Sequence, residues 1–323
     1  MKHPITTLKQ LRIPSLTILA RTLALALTLA LAPSGAKAQQ EAQYSQYMFN
    51  SLFINPAYAG SRDQASMSLI GRNQWTGFAG APRSAAFSLH GPSASMKSGF
   101  GMMLTTDGIG PIASTGLSAQ YAYRIKLDAD HTLAFGLQGS LDYYRTNFGG
   151  LHLEDETDHS FAGQDVRRWL PNAGAGIYFN GKLGYLGAAV PRLITNRLSP
   201  TNADTVARQA RHCFVTGGLV LKLSENVKFR PSTLVKVSSG GGANIDLNAS
   251  FLFKEKLWLG ASWRSEDAVF FMVEFWPTQQ LRIGYAYDLT TSALRTYNTG
   301  SHELSLGFDF AFKKGRVVSP RYF

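Results

Sequence analysis

A two-residue rhythm of apolar and polar side chains limits what this chain can become. From His131 to Tyr143, Leu133, Phe135, Leu137, Gly139, Leu141 and Tyr143 point one way. Thr132, Ala134, Gly136, Gln138, Ser140 and Asp142 point the other. Leu117, Ala119, Tyr121, Tyr123 and Ile125 oppose Ser118, Gln120, Ala122, Arg124 and Lys126 in the same way. So do Leu281, Ile283, Tyr285 and Tyr287 against Arg282, Gly284, Ala286 and Asp288. The final run sets Leu304, Leu306, Phe308, Phe310 and Phe312 against Ser305, Gly307, Asp309 and Ala311. A soluble β-sandwich also alternates. Its strands usually have about 5–6 residues, whereas a tilted strand needs about 9–11 to cross a bilayer, and many runs here reach that length. Aromatic residues gather at strand ends, at Tyr143, Tyr144, Trp258, Trp263, Trp276 and Phe312, where interfacial girdles are expected. The rhythm predicts an all-β fold, a transmembrane antiparallel β-barrel.

Fourteen segments carry it: 64–73, 84–91, 97–106, 114–126, 131–146, 171–179, 183–190, 212–222, 227–237, 244–253, 257–263, 268–276, 281–288 and 301–312. An even count suits a single-chain bacterial barrel. Pro231 makes 227–237 one of the two weakest candidates, and shortness makes 257–263 the other. The connections after even-numbered segments are tight. Those after odd-numbered segments include the long ones, 74–83, 147–170, 191–211 and 289–300. Short periplasmic turns and long outer loops are the asymmetry of outer-membrane barrels. On that reading both termini are periplasmic.

Residues 1–38 read as a secretory signal peptide. Lys2, Lys9, Arg12 and Arg21 are basic, Leu23 to Ala32 is apolar apart from Thr28, and Ala36-Lys37-Ala38 is a small-x-small cleavage site. The apolar run is too short to span a membrane, which takes about 20 residues. Its removal takes five basic residues from the formal charge of +11, leaving +6. That balance does not call for nucleic acid. Cys213 is the single cysteine, so no intrachain disulfide forms.

Between the signal and the first strand lies Gln43 to Asp63. Tyr44, Tyr47, Met48 and Leu52 fall on one helical face, and Ser45 is placed to cap a short helix. Asn55-Pro56 predicts a turn, and Gly60 releases the chain into a strand. The segment is too aromatic for a loose tail. It is expected to pack as a plug inside the barrel or as a docking segment for a periplasmic partner, with Tyr44, Gln46, Tyr47, Phe49, Asn50, Asn55, Pro56 and Trp75 as candidate contacts. SQYMFN, then LFINPAYAGSRD, then Gln74-Trp75 and Gly80-Ala81-Pro82 resemble the opening of the PorP/SprF family, and the ending SPRYF resembles its close. Those are outer-membrane proteins of the type IX secretion and gliding machinery of Bacteroidetes. The resemblance implies that the chain assists export or surface retention of a cargo protein, such as an adhesin with a C-terminal sorting domain. It also implies machinery partners on the periplasmic side. Four parts follow: the signal peptide 1–38, the N-terminal segment 39–63, the barrel 64–312 and a basic tail 313–323.

No Walker loop, dinucleotide glycine motif, GxSxG elbow or HExxH occurs. A membrane lipase needs a Ser/His pair, and nothing selects one histidine among seven. The chain is therefore read as non-enzymatic, with no cofactor, metal or catalytic residue. The segment Leu151 to Phe161 is acidic, with Glu154, Asp155, Glu156 and Asp158. It lacks the spacing and turn glycine of a calcium loop and reads as a solvated surface. The next long loop is basic, with Arg192, Arg197, Arg208 and Arg211, so the two are candidates to pair across the mouth and to bind a partner. Inward positions include Arg124, Lys126, Lys228, Arg230, Lys236 and Arg282, set against Asp142, Asp246, Asp288 and Asp309. A polar lumen is the norm, and a basic interior receiving a carboxylate or a peptide is the sharper reading. The alternative function is a passive or substrate-specific channel, since about fourteen strands can enclose one.

Overall fold

The computed structural model describes residues 43–62, 64–147, 165–199, 207–239 and 242–310. Residues 1–38, which read as a signal peptide, the acidic segment 151–161 and the tail 313–323 lie outside the described residues.

The strands are β1 (Ala65–Asn73), β2 (Arg83–Pro92), β3 (Ser98–Ile109), β4 (Ile112–Lys126), β5 (Thr132–Thr146), β6 (Arg167–Asn180), β7 (Gly184–Val190), β8 (His212–Leu219), β9 (Leu221–Lys222), β10 (Val227–Ser238), β11 (Ala243–Phe253), β12 (Leu257–Arg264), β13 (Ala268–Phe275), β14 (Leu281–Thr290) and β15 (Ser301–Phe310). Neighbours in the chain pair antiparallel, β10 pairs β11, and β15 returns to β1 from Ala65↔Phe310 to Asn73↔His302. The sheet thus closes on itself. β8 and β9 keep one register against β10, as Ser232↔Gly218 and Lys228↔Lys222 show, so together they form one of fourteen staves. Their interruption lies opposite Arg230 and Pro231. Proline has no N–H for the ladder, which accounts for the gap on that side. Pro231 still pairs with Ala249 on the other, so the segment weakened by proline is a full stave.

The connections 93–97, 127–131, 181–183, 223–226, 254–256 and 276–280 form a short-turn rim. The opposite rim carries the long loops 74–82, 191–211 and 291–300. Lys254 and Glu255 take φ of +48° and +56°, the pair of left-handed residues that a two-residue hairpin turn needs.

Outward residues are apolar. Leu137 is 64% exposed, and Phe100, Leu117, Leu186, Phe271 and Leu304 are also exposed. Many inward residues are polar and buried, such as Ser88, Gln120, Gln138, Asp246, Arg282 and Glu303, and others form buried apolar patches, such as Leu234, Trp258 and Phe270. A soluble protein shows the reverse, so this is a membrane barrel with a packed interior. Two of the expected girdle aromatics belong to that interior. Trp258 is fully buried, and Trp276 is buried beside it. On β12 the outward set is Leu257, Leu259, Ala261 and Trp263, so Trp258 has the inward parity. Trp263 is exposed, and Tyr143 packs beside exposed Trp169 on the outside. Of the six inward cations, Arg124, Arg230, Lys236 and Arg282 are buried in the lumen. Lys126 is exposed at the end of β4, and Lys228 pairs with Glu255 at the short-turn rim at 2.5 Å.

Candidate functional site

The segment 44–60 fills the barrel. Tyr44, Tyr47, Met48, Phe49, Leu52, Ala57, Tyr58 and Ala59 are all buried. They form no single helix. Three 3₁₀ turns, Tyr47–Phe49, Ser51–Phe53 and Pro56–Tyr58, follow one another. The expected one-sided helix fails because every side of the segment meets wall. One side packs Tyr47, Met48, Phe49 and Ile54 on Phe214, Leu234, Leu252, Trp258, Phe270 and Met272 of β8 and β10 to β13. Leu52, Ala57, Tyr58 and Ala59 pack on Ala122, Ala134, Tyr178 and Tyr185 of β4 to β7. Tyr44 packs with Phe53 on Ile70 and Ala86 of β1 and β2. Burying a large apolar side chain contributes about 1.5–3 kcal/mol, enough over several residues to offset the ordering of the segment.

The irregular backbone is satisfied by side chains, as a buried backbone must be. Asn50 Oδ1 accepts from Leu52 N–H at 3.2 Å, and its amide donates to Ser88 Oγ at 2.6 Å. Asn55 Oδ1 accepts from Ala57 N–H at 2.9 Å, and its amide donates to the Ile177 carbonyl at 2.9 Å. Asn55 is extended, as a residue before proline should be, and Pro56 opens the third turn. Ser45 does not cap. Its N–H donates to Glu303 Oε2 at 2.8 Å and its hydroxyl to Asp288 Oδ2 at 2.7 Å. The Gln46 N–H donates to Glu303 Oε1 at 2.8 Å, and Ser305 Oγ donates to Gln46 Oε1 at 2.8 Å. Asn248 donates to the Tyr47 hydroxyl at 2.8 Å.

The ions of the lumen are gathered around this segment. Arg72 bridges Asp288 at 2.7 Å and Glu303 at 3.2 Å, and also donates to Ser45 Oγ at 2.8 Å. Arg62 and Arg282 share Asp309 at 3.2 and 3.3 Å. Arg62 donates as well to the Phe49 carbonyl at 3.1 Å. The Arg230 guanidinium lies 4.8 Å from the Phe49 ring centre and 4.2 Å from that of Trp258, a cation–π contact with each ring. Arg264 pairs with Asp246 at 2.9 Å, and its guanidinium lies 5.0 Å from the ring centre of Phe270 in the same cluster. Alternation flagged Arg230, Arg282, Asp246, Asp288 and Asp309 as inward. It missed Arg62, Arg72, Arg264 and Glu303. Arg72 is in phase with buried Ile70, so strand parity contained that signal, whereas Arg62 precedes any strand.

The segment runs the length of the lumen. Gln43 meets Lys236 near the long-loop end of β10, with Nζ donating to Oε1 at 3.5 Å. Gly60 lies at the other end, with φ +69° and a position where a Cβ would stand 2.6 Å from Gly99 Cα beside the short turn 93–97. An even stave count brings the start of β1 and the end of β15 to the short-turn rim. The segment before β1 then doubles back, so the described ends, Gln43 and Phe310, sit at opposite rims.

Trp75 belongs elsewhere. It sits in the 74–82 loop with φ +50°, and its N–H donates to Ser301 Oγ at 3.1 Å. Thr76 N–H donates to the Gly300 carbonyl at 2.7 Å, which laces this loop to 291–300 at the long-loop rim. Arg192 reaches Asp142 on the inner wall at 3.2 Å. Arg197 donates to Ser199 Oγ at 3.3 Å beside a cleft of about 410 Å³ lined by Arg168, Trp169, Leu170 and Asn196. Glu154, Asp155 and Glu156, and hence their pairing with the basic loop, lie outside the described residues. Among the described residues no His, Cys, Asp and Glu cluster could hold a metal ion.

No curated protein matches this chain. Among solved structures, a Pseudomonas aeruginosa FadL homologue is 13% identical, with a TM-score of 0.47 over 81% of this chain and 94% of its own. The CymD monoaromatic hydrocarbon channel is 9% identical, with a TM-score of 0.47 over 83% and 93%. The KdgM porin is 7% identical, with a TM-score of 0.39 over 76% and 99%. The family model described as type IX secretion system membrane protein PorP/SprF matches residues 36–308, nearly all of the barrel together with the segment that fills it, and the chain belongs to that family.

Proposed function

We propose that this outer-membrane barrel serves type IX secretion as a plugged anchor. In this reading residues 44–60 close the lumen. The long loops face the cell surface and hold, or help export, a cargo protein such as an adhesin with a C-terminal sorting domain. Residues 1–38 act as the signal peptide, and the short turns meet machinery components in the periplasm. The observation that carries the reading is the filled lumen. Tyr47, Leu52 and Tyr58 lie across the interior, each almost wholly buried, with wall contacts on every side. A water-filled pore needs a continuous polar path instead. Family membership supports the secretion role. Binding is then left to the rim: the loop of Trp75, the acidic Glu154, Asp155 and Glu156, and the basic loop of Arg192 and Arg197. Rigid staves that present loops are a common basis for recognition, and no enzymatic step is assigned.

Two measurements test this. In planar bilayers the whole protein should be silent, and a variant lacking residues 43–58 should conduct. A mild-detergent pull-down from the native envelope should recover a sorting-domain protein. Steady conductance by the whole protein, with no such cargo recovered, would replace the anchor by a channel.

A further inference from the structure

Two arginines face each other on the outside of the barrel. Arg145 of β5 lies directly opposite Arg167 of β6, and both are exposed on the outward parity that also carries Leu137 and Leu141. Neither has an ion pair or a side-chain hydrogen bond among the described residues. On its other side Arg145 faces Ala113, so no acid on β4 compensates. Asp165, two residues before Arg167, has an interaction of its own. Like charges directly opposite in an antiparallel pair are destabilising. The arrangement therefore asks for an anion.

The level of the pair in the membrane says which kind. The next outward cross-strand pair toward the membrane is Tyr143 and Trp169, with ring centres 4.9 Å apart and Trp169 64% exposed. An outward aromatic pair of this sort marks the interface between the apolar band and the headgroups. Arg145 and Arg167 stand one step beyond it, at headgroup height on the long-loop side. We infer that Arg145, Arg167 and the Tyr143–Trp169 floor form a binding site for the phosphate of a lipid headgroup. Planar guanidinium forks match phosphate oxygens bidentately, and the rings would cover the first part of the acyl or sugar moiety beneath. A bound phosphate turns the cross-strand repulsion into two attractions. The inference goes beyond the anchor reading and rests on the membrane barrel and on that reading's placement of the long loops at the cell surface.

The test uses the full protein in detergent micelles, with the unfolding midpoint read from heat-modifiable gel mobility. Added diphosphorylated lipid A should raise the midpoint of the wild type to a saturating value. The same lipid without phosphates, and inorganic phosphate alone, should not. The R145Q/R167Q variant should bind the phosphorylated lipid at least about tenfold more weakly, the loss expected for charge-assisted hydrogen bonds. Without lipid, that variant should unfold at the same temperature as the wild type or higher, because the repulsion is gone. Equal lipid binding by the variant, or an equal response to dephosphorylated lipid, would overturn the site. A response to inorganic phosphate that matches the lipid response would overturn the lipid as its occupant.

Discussion

Leu137 and Gln138 are chain neighbours on β5 and occupy opposite worlds. Leu137 is 64% exposed and touches what surrounds the barrel. Gln138 is 8% exposed, accepts from Gln120 Nε2 at 3.1 Å and donates to the Pro191 carbonyl at 3.3 Å. The inner face is packed like the core of a soluble protein, with apolar patches such as Leu234, Trp258 and Phe270 set among amides, hydroxyls and ions. The outer face is apolar and has only lipid to cover it. The difference teaches that the packing within the protein resides on the inward face, its ion pairs and apolar patches together, and that the N-terminal segment is a structural part of that core.

The largest expected effect comes from that core. Glu303 is 1% exposed and holds Arg72 and the N–H groups of Ser45 and Gln46. Glu303→Ala leaves a buried guanidinium short of a partner and two N–H groups without one, and should destabilise the barrel by about 3–5 kcal/mol. Glu303→Gln keeps an acceptor and should cost less. Leu304→Ala, one residue along but on the outside, should cost far less than Glu303→Ala. Urea unfolding in lipid vesicles measures all three. Equal losses at 303 and 304 would remove the contrast between the faces.

Next in size is Leu137→Arg, which sets a cation among the lipid tails and should cost about 2–4 kcal/mol near the midplane. From the sequence alone, Gln138→Arg should be much cheaper, because it points into a polar lumen. The packed interior narrows that gap. Overfilling a close-packed site typically costs about 1–3 kcal/mol, so Gln138→Arg should fall below Leu137→Arg but well above zero. Paired unfolding curves decide between an empty lumen and a filled one. A silent Gln138→Arg would mean that the space beside Gln138 is open.

How much of this was legible follows from what each signal measures. Period two is a property of one strand, so the fourteen staves and their faces could be read locally. Segment 212–222 was read as one run, and the structure splits it into β8 and β9 while keeping its register. The composition of Gln43 to Asp63 showed that it must be buried, and residues such as Tyr47, Asn50 and Asn55 do lie against the wall. Its conformation was not legible. A helix was expected from four apolar spacings, but the lumen surrounds the segment, and Asn50 and Asn55 end its turns by capping the next ones. Glu303, the main polar contact of Ser45 and Gln46, is 257 residues or more away in sequence, and no local pattern reports such a pair. The place of Trp258 at a strand end suggests a girdle. Its parity would have placed it inside.

The smallest expected effect lies outside both faces, in the turn between β4 and β5. Asp128 accepts from the N–H groups of Asp130 and His131, each at 2.8 Å, and its carboxylate lies 2.8 Å from His131 Nδ1. The hydrogen bond with the His131 ring, followed by the backbone bond from Asp130, holds the Asp128 carboxyl below its ordinary range. A carboxylate depressed in the folded state contributes stability above its unfolded pKa, about 3.9, and loses it as the pH falls through the lower folded value. Asp128→Asn should therefore lower the unfolding midpoint slightly at neutral pH. The difference from wild type should begin to shrink below about pH 4, where the unfolded carboxyl takes up its proton, and should close at lower pH as the folded one does. The group is solvent-exposed and screened, so the shift should be far smaller than that of Glu303→Ala at the same pH. Urea midpoints from neutral pH down to about pH 3 give the comparison, the lower limit being set below that unfolded carboxylate pKa. A difference that persists unchanged into acid would show that this turn is held by shape, not by its charge.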